Sequence, residues 1–152
     1  GKDCLVMAYV HIAHDCILGD HVILVNSVAL AGHVEIGDYA IISGLSAVHQ
    51  FVKIGAHVMI GGGAMVRKDV PPFITAAGEP LSYAGVNSVG LKRRNFSQEE
   101  INEIQTLYRT LYQSGMNVSQ AVNRIKETYS KGPEADAILN FIERSDRGLI
   151  RK

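Results

Sequence analysis

Three scarcities in this 152-residue sequence exclude whole classes of protein. Only two cysteines are present, too few for the disulfide framework of a small secreted domain, so a reduced, cytoplasmic protein is predicted. Neither sign of charge is in excess, because 15 basic side chains balance 15 acidic ones, which argues against a protein that holds nucleic acid by bulk electrostatics. No apolar run is long enough to span a membrane, and no signal-peptide pattern opens the chain.

Aliphatic side chains, by contrast, recur at every sixth position as far as Val66. This period fits neither a helix nor a simple strand, and a β-sandwich would space its turns irregularly. It is typical of a hexapeptide-repeat parallel β-helix, in which three six-residue faces make a coil of 18 residues. Residues i and i+18 are therefore predicted to lie about 4.8 Å apart, and Gly, Asn and Asp to fill the sharp corners. The aliphatic column is Val6, Ile12, Leu18, Leu24, Leu30, Ile36, Ile42, Val48, Ile54, Ile60 and Val66.

The chain is predicted to divide into a β-helix over residues 1–72, an irregular connection over 73–95 and a small helical domain over 96–152. The first boundary is set by the Pro-Pro pair at positions 71 and 72, because proline stops strand pairing. Small or β-branched residues stand two positions before each aliphatic one, as the narrow interior of a β-helix requires. Gly1 is already in phase with the repeat, so further coils before it are expected in a longer protein.

Three helices are predicted in the last third of the chain. A capping box of Ser97 and Glu100 begins the first, which ends at Gly115. The second is predicted over Ser119–Tyr129 and the third over about Glu134–Arg144. The side chains predicted to face the core are Ile101, Ile104, Leu107, Tyr108, Leu111 and Tyr112 in the first helix, Val122, Ile125 and Tyr129 in the second, and Ile138, Phe141 and Ile142 in the third.

Histidines gather into columns when the sequence is folded at 18 residues per coil. His14, Gly32 and Gln50 share one column, and Asp15 and His33 share the next. A histidine is the usual general base, a neighbouring carboxylate can fix its tautomer, and a glycine can offer a backbone N–H to an oxyanion. No serine or cysteine shares these columns, which favours direct transfer to a substrate hydroxyl over a covalent enzyme intermediate.

Two other interpretations of the histidines stay open. Corner histidines of a solenoid are often solvated polar residues, and we prefer this for His21 and His57, although a subunit contact at their edge is also compatible. The spacing of His11 and His14 would allow zinc, as in carbonic anhydrases built on the same fold. No carboxylate or cysteine set completes such a site in the sequence, so no metal is assigned.

Seven motifs, in order along nearly the whole chain, resemble those of the acyl-[acyl-carrier-protein]–UDP-N-acetylglucosamine O-acyltransferases. Together they are far more specific than the six-residue period, which many acyltransferases share. They are His11–Cys16, Leu30–Val34, Ala47–Phe51, Ile54–Val58, Asp69–Pro72, Gly90–Arg94 and Arg147–Arg151.

The resemblance implies a left-handed parallel β-helix, an exception to the usual right-handed crossover, and a homotrimer with active sites between subunits. It implies transfer of an R-3-hydroxyacyl chain from acyl carrier protein to the 3-hydroxyl of UDP-N-acetylglucosamine, the first step of lipid A synthesis. No cofactor is expected, because the phosphopantetheine of the carrier holds the acyl donor. The alternatives are a related N-acyltransferase of a UDP-amino sugar and a trimer-forming module without full activity.

The resemblance also assigns roles to individual residues. His14 is the general base, Asp15 orients it, and the backbone N–H of Gly32 is the oxyanion donor. At Gly62 a side chain would act as a ruler for acyl length, and glycine there leaves room. The positions implied to bind substrate are His11, His33, His49, Gln50, Gly62, Asn87, Arg93 and Arg94.

Overall fold

The computed structural model describes residues 1–129 and 132–152, and its first half is a left-handed parallel β-helix of about four coils. Two-residue strands follow one another at six-residue intervals, as the period predicts. They are β1 (Leu5–Val6), β2 (His11–Ile12), β3 (Ile17–Leu18), β4 (Ile23–Leu24), β5 (Ala29–Leu30), β6 (Glu35–Ile36), β7 (Ile41–Ile42), β8 (Ala47–Val48), β9 (Lys53–Ile54), β10 (Met59–Ile60) and β11 (Met65–Val66).

The strands stack into three faces of a triangular prism. Face A contains β1, β4, β7 and β10, face B contains β2, β5, β8 and β11, and face C contains β3, β6 and β9. Paired residues are 18 apart, as in Leu5 with Ile23 and Glu35 with Lys53, which confirms the predicted coil. From Val22 onward both the aliphatic and the small columns are at most 5% exposed, so they form the core.

Each corner turns on a residue in the left-handed backbone region, at every sixth position from Asp3 to His57. The expectation that Gly, Asn and Asp would fill these corners is wrong for most of them, since His, Tyr, Phe, Ser and Leu also adopt φ between 55° and 64°. Glycine serves a different purpose nearby. A Cβ on Gly37 would lie 2.5 Å from the backbone N of Ala56, so glycine permits the close approach of successive coils.

The β-helix does not stop at Pro72 as predicted. Instead, one coil loses two residues after Val66, because Ile54 pairs with Val70, 16 rather than 18 positions later. The strand β12 (Ile74–Ala77) then continues face A beside β10. The Pro-Pro pair therefore occupies a corner of the solenoid rather than its end.

Residues 73–95, predicted to be an irregular connection, contain regular structure. After β12, the strand β13 (Ser82–Val86) pairs with it in the antiparallel direction and widens face A. The short helix α1 (Ser88–Arg93) follows, and Asn87 caps it by accepting a hydrogen bond from the Gly90 N–H at 3.2 Å. Glycines and a proline spaced through such short elements conceal their periodicity.

The three helices predicted in the last third of the chain are confirmed. They are α2 (Gln98–Gln113), α3 (Val118–Thr128) and α4 (Pro133–Glu143). The predicted capping box is present, because Ser97 accepts from the Glu100 N–H while the Glu100 carboxylate accepts from the Ser97 N–H. None of the helices in the described residues is long and apolar enough to cross a membrane.

Hydrogen bonds join α2 to the solenoid and to the C-terminal segment. The buried hydroxyl of Tyr108 donates to the carbonyl of Pro72 at 2.5 Å, and that of Tyr112 donates to Ile150 at 2.9 Å. Two predicted core residues of α4, Phe141 and Ile142, are only half-buried. Phe141 is only half-buried because its ring lines a cavity of about 290 Å³ between α4 and face C.

Candidate active site

The edge between faces B and C carries the two histidine columns predicted from the sequence. His14 and Asp15 form its corner in the first coil, and Gly32 and His33 form it in the second. The coils are joined there by the His33 N–H, which donates to the His14 carbonyl at 3.1 Å. Gln50 follows in the third coil and is exposed.

His14 is oriented by its neighbour. Its Nδ1 lies 2.9 Å from the Asp15 carboxylate, and since a carboxylate only accepts, Nδ1 carries the proton. The other nitrogen, Nε2, then has a free lone pair. The hydrogen bond from His14, and next the charge of His33, lower the pKa of Asp15. The pair therefore has the tautomer and the ionised partner that a general base requires.

Gly32, in the second coil, packs directly against the ring of His14 in the first coil. A Cβ on Gly32 would lie 2.8 Å from Nε2 and 2.7 Å from Cε1 of His14, so any side chain would displace the imidazole. Among residues 1–129 and 132–152, no acceptor pairs with the Gly32 N–H. The free base nitrogen therefore lies against Gly32, which is buried and whose backbone N–H has no described acceptor. A base beside an unpaired backbone donor is the pairing that acyl transfer to a hydroxyl uses.

His33 completes the corner. Its Nε2 lies 3.8 Å from the Asp15 carboxylate, and its ring stacks on Phe51 with centroids 4.7 Å apart. The sequence suggested His11 and His14 as possible zinc ligands. In the structure a different set lies close together, because one possible ligand atom each of His14, Asp15 and His33 lie within 4.8 Å of one another. Two histidines and a carboxylate can bind a divalent cation. That the protein holds no metal therefore stays a prediction, which metal analysis of the purified protein would test.

The remaining predicted residues of this half of the site surround the edge. His11 lies on face B, paired with Ala29, and is exposed. His49 contacts Arg147, a residue of the last family motif to which the sequence assigned no role. Gly62 lies across face B at its other edge, where a Cβ would be 3.6 Å from the nearest atom, so a side chain there would fit.

Asn87, Arg93 and Arg94 lie at a different edge of the prism, between faces C and A. The Arg94 guanidinium lies 5.3 Å from the ring centroid of Tyr39, and the Asn87 side-chain amide donates to the His57 carbonyl at 3.0 Å. Asn87 is thus largely occupied as a helix cap. A single chain does not bring these three residues to His14.

Two protein-family models match different parts of the chain. A family model described as UDP N-acetylglucosamine O-acyltransferase, domain 2, matches residues 69–150, which are 82 of the 152 residues. The chain belongs to the UDP-N-acetylglucosamine O-acyltransferase family. A second model, the hexapeptide repeat of bacterial transferases, matches residues 1–32.

Relatives in this family match almost all of the chain. The acyl-[acyl-carrier-protein]–UDP-N-acetylglucosamine O-acyltransferase of Janthinobacterium sp. (strain Marseille) is 48% identical over 99% of this chain and 59% of its own length. That of Pseudomonas syringae pv. tomato is 46% identical, over 99% and 58%. The crystal structure of a UDP-N-acetylglucosamine acyltransferase from Bacteroides fragilis has a TM-score of 0.96 at 45% identity, over 98% and 58%. The chain therefore spans under three-fifths of the length of these relatives.

A ladder of stacked rings follows the edge between faces C and A, and the family match leaves it without a role. His21 stacks on Tyr39, Tyr39 on His57 and His57 on Phe73, with centroids 4.6, 5.1 and 5.7 Å apart. The interpretation of His21 and His57 as solvated corners is wrong, because both are half-buried. Within the part of the chain that the structure describes, Nδ1 of His57 and Nη1 of Arg94 are buried without a hydrogen-bond partner.

The ladder predicts a pH dependence of stability. Burial, and next the charge of Arg94, lower the pKa of His57 to about 4 from the ordinary 6.5. In the window between these values the unfolded chain binds a proton that the folded chain does not, so stability falls as the pH drops from about 6.5 to about 4. We expect His57→Phe, which keeps the stack, to weaken this loss, as measured by the melting temperature across that window. Tyr39→Phe, which removes no imidazole, is the control, and equal slopes in all three proteins would contradict the prediction.

Proposed function

We propose that this chain is the catalytic part of an enzyme that transfers an R-3-hydroxyacyl chain from acyl carrier protein to the 3-hydroxyl of UDP-N-acetylglucosamine. The observation that carries the proposal is the position of the free Nε2 of His14 against Gly32, whose backbone N–H has no acceptor among the described residues. Membership of the family supports the classes of substrate, since the relatives are named for acyl-[acyl-carrier-protein] and UDP-N-acetylglucosamine.

The proposed reaction is one displacement at the thioester carbonyl. Nε2 of His14 accepts the proton of the sugar hydroxyl as that oxygen attacks the carbonyl carbon. The Gly32 N–H donates to the oxyanion of the tetrahedral intermediate, while Asp15 stabilises the imidazolium. Collapse breaks the carbon–sulfur bond, and the departing thiolate of phosphopantetheine takes the proton back from His14. The thioester is already activated, so the reaction requires no cofactor.

The assembly proposed for this reaction is a homotrimer. His14 and the basic residues Arg93 and Arg94 belong to different edges of one prism, so a site that uses both needs a second copy of the chain. Asn87, Arg93 and Arg94 of one subunit would then face the nucleotide or the phosphopantetheine held at His14 of its neighbour. Acyl carrier protein and two unpaired cysteines both fit a cytoplasmic enzyme.

The test is to supply R-3-hydroxyacyl carrier protein with UDP-N-acetylglucosamine or the corresponding UDP-amino sugar, and to identify the product by mass. An ester product is cleaved by hydroxylamine, whereas the amide made by an N-acyltransferase is not. We expect a hydroxylamine-sensitive product with UDP-N-acetylglucosamine only. Amide formation would support the N-acyltransferase, and calorimetric absence of UDP-sugar binding together with no product would support a trimer-forming module without activity.

A further inference from the structure

The shortened coil of the β-helix anchors the C-terminal segment of the chain. Asp69, which is fully buried, accepts from the Lys53 N–H at 2.7 Å with one carboxylate oxygen. The other oxygen accepts from the Ser145 hydroxyl at 2.6 Å and from the Arg147 N–H at 3.1 Å. The Asp69 backbone also forms an isolated parallel β-bridge with Leu149. The backbone of Arg147 is therefore fixed against the solenoid, although its side chain is exposed.

The Arg147 side chain reaches the edge between faces B and C. Its Nη2 lies 3.2 Å from Nδ1 of His49, which stands one position before Gln50 in the column of His14 and Gly32. We propose that Arg147 is a positioning residue that holds His49 in the tautomer with the proton on Nε2. The functional consequence of this inference rests on the proposed acyl transfer, whereas the tautomer itself does not.

The local geometry offers His49 two exclusive arrangements. Nδ1 lies 3.2 Å from Nη2 of Arg147 and also 3.2 Å from the carbonyl of Gln50. A guanidinium only donates and a carbonyl only accepts. Nδ1 can therefore accept from Arg147 when it is unprotonated, or donate to the Gln50 carbonyl when it is protonated, but it cannot do both at once. A hydrogen bond from Arg147 requires an unprotonated Nδ1. The charge-assisted bond is the stronger of the two, so the neutral ring carries its proton on Nε2.

The tautomer decides what His49 presents to a substrate. In the described residues, Nε2 of His49 makes no hydrogen bond and the side chain is exposed. With Arg147 in place, Nε2–H is a donor directed away from the Arg147 contact, suited to an oxygen of the sugar or of the acyl donor. Without Arg147, Nδ1–H would bond to the Gln50 carbonyl, and Nε2 would become an acceptor that repels the same oxygen.

Nitrogen-15 spectra of histidine-labelled protein test the tautomer directly, with the His49 signals assigned by their loss in His49→Gln. We expect the protonated nitrogen to be Nε2 in the parent and in Arg147→Lys, which keeps a charged donor, and a shift of the proton toward Nδ1 in Arg147→Gln, whose side chain is shorter and uncharged. Arg144→Gln, which removes a neighbouring exposed arginine that pairs with Glu35, is the control and should match the parent. Identical His49 spectra in the parent and Arg147→Gln would overturn the proposal.

Steady-state kinetics test the consequence for the proposed function. We expect Arg147→Gln to lower kcat/KM about tenfold, the scale of one lost hydrogen bond, and Arg147→Lys to recover most of it. A changed tautomer with unchanged kcat/KM would overturn the positioning role. A changed tautomer in a protein whose parent transfers no acyl group would refute the proposed function and leave the tautomer assignment intact.

Discussion

Replacing His14 by alanine is expected to lower the rate of acyl transfer by about 10² to 10⁴, the range for a lost general base. The reason is that the His14 ring packs against Gly32, and Nε2 of His14 is the nitrogen left free by the bond from Nδ1 to Asp15. The measurement is kcat under saturating R-3-hydroxyacyl carrier protein and UDP-N-acetylglucosamine. Binding of the UDP-sugar should change far less than kcat, because the proton is transferred only as the reaction proceeds.

The matched control for His14→Ala is Asn26→Ala. Asn26 occupies the same position of the six-residue repeat at the edge between faces A and B and is also exposed. It therefore reports the effect of truncating a corner side chain outside the two histidine columns and two coils away from Gly62. A His14→Ala protein that keeps nearly the parental kcat, or a comparable loss in Asn26→Ala, would remove His14 from the proposed mechanism.

The candidate site could be predicted from sequence to the extent that it follows the regular coil. His14, Gly32 and Gln50 are 18 residues apart, so the period alone places them in one column. The tautomer of His14 is also a local matter, since Asp15 is its neighbour in the chain. Whether these residues perform the chemistry assigned to them stays a prediction.

What the sequence could not predict depends on contacts that break the period or cross between elements. The shortening after Val66 requires a side chain, Asp69, to replace a backbone carbonyl as the acceptor for Lys53, and no spacing rule anticipates that substitution. Arg147 reaches His49 from 98 positions away along the chain. The half-burial of His57 comes from Phe73 and Phe96, which the predicted boundary at residue 72 had assigned to other segments.

Replacing Asp69 by asparagine is expected to destabilise the fold by about 3 kcal/mol, because buried donors lose their acceptor. The carboxylate accepts from the Lys53 N–H, the Ser145 hydroxyl and the Arg147 N–H, and an amide nitrogen in its place would put a donor against donors. For a chain of this size the loss corresponds to a fall in Tm of roughly 10 °C, which calorimetry can measure. Asp146→Asn is the control, because Asp146 pairs with Lys53 in the same segment but its side chain is 78% exposed, so its Tm should change little.

The same substitution connects stability to the candidate site. If Asp69 holds the backbone of Arg147, the folded Asp69→Asn protein should also lose part of the Nε2–H tautomer of His49 at a temperature well below its Tm. The control Asp146→Asn should keep that tautomer, since it leaves the bonds to the Arg147 N–H intact. A Tm equal to that of the parent would show that water or neighbouring groups satisfy the three donors. A lowered Tm with an unchanged His49 spectrum would show that Asp69 stabilises the shortened coil without positioning Arg147.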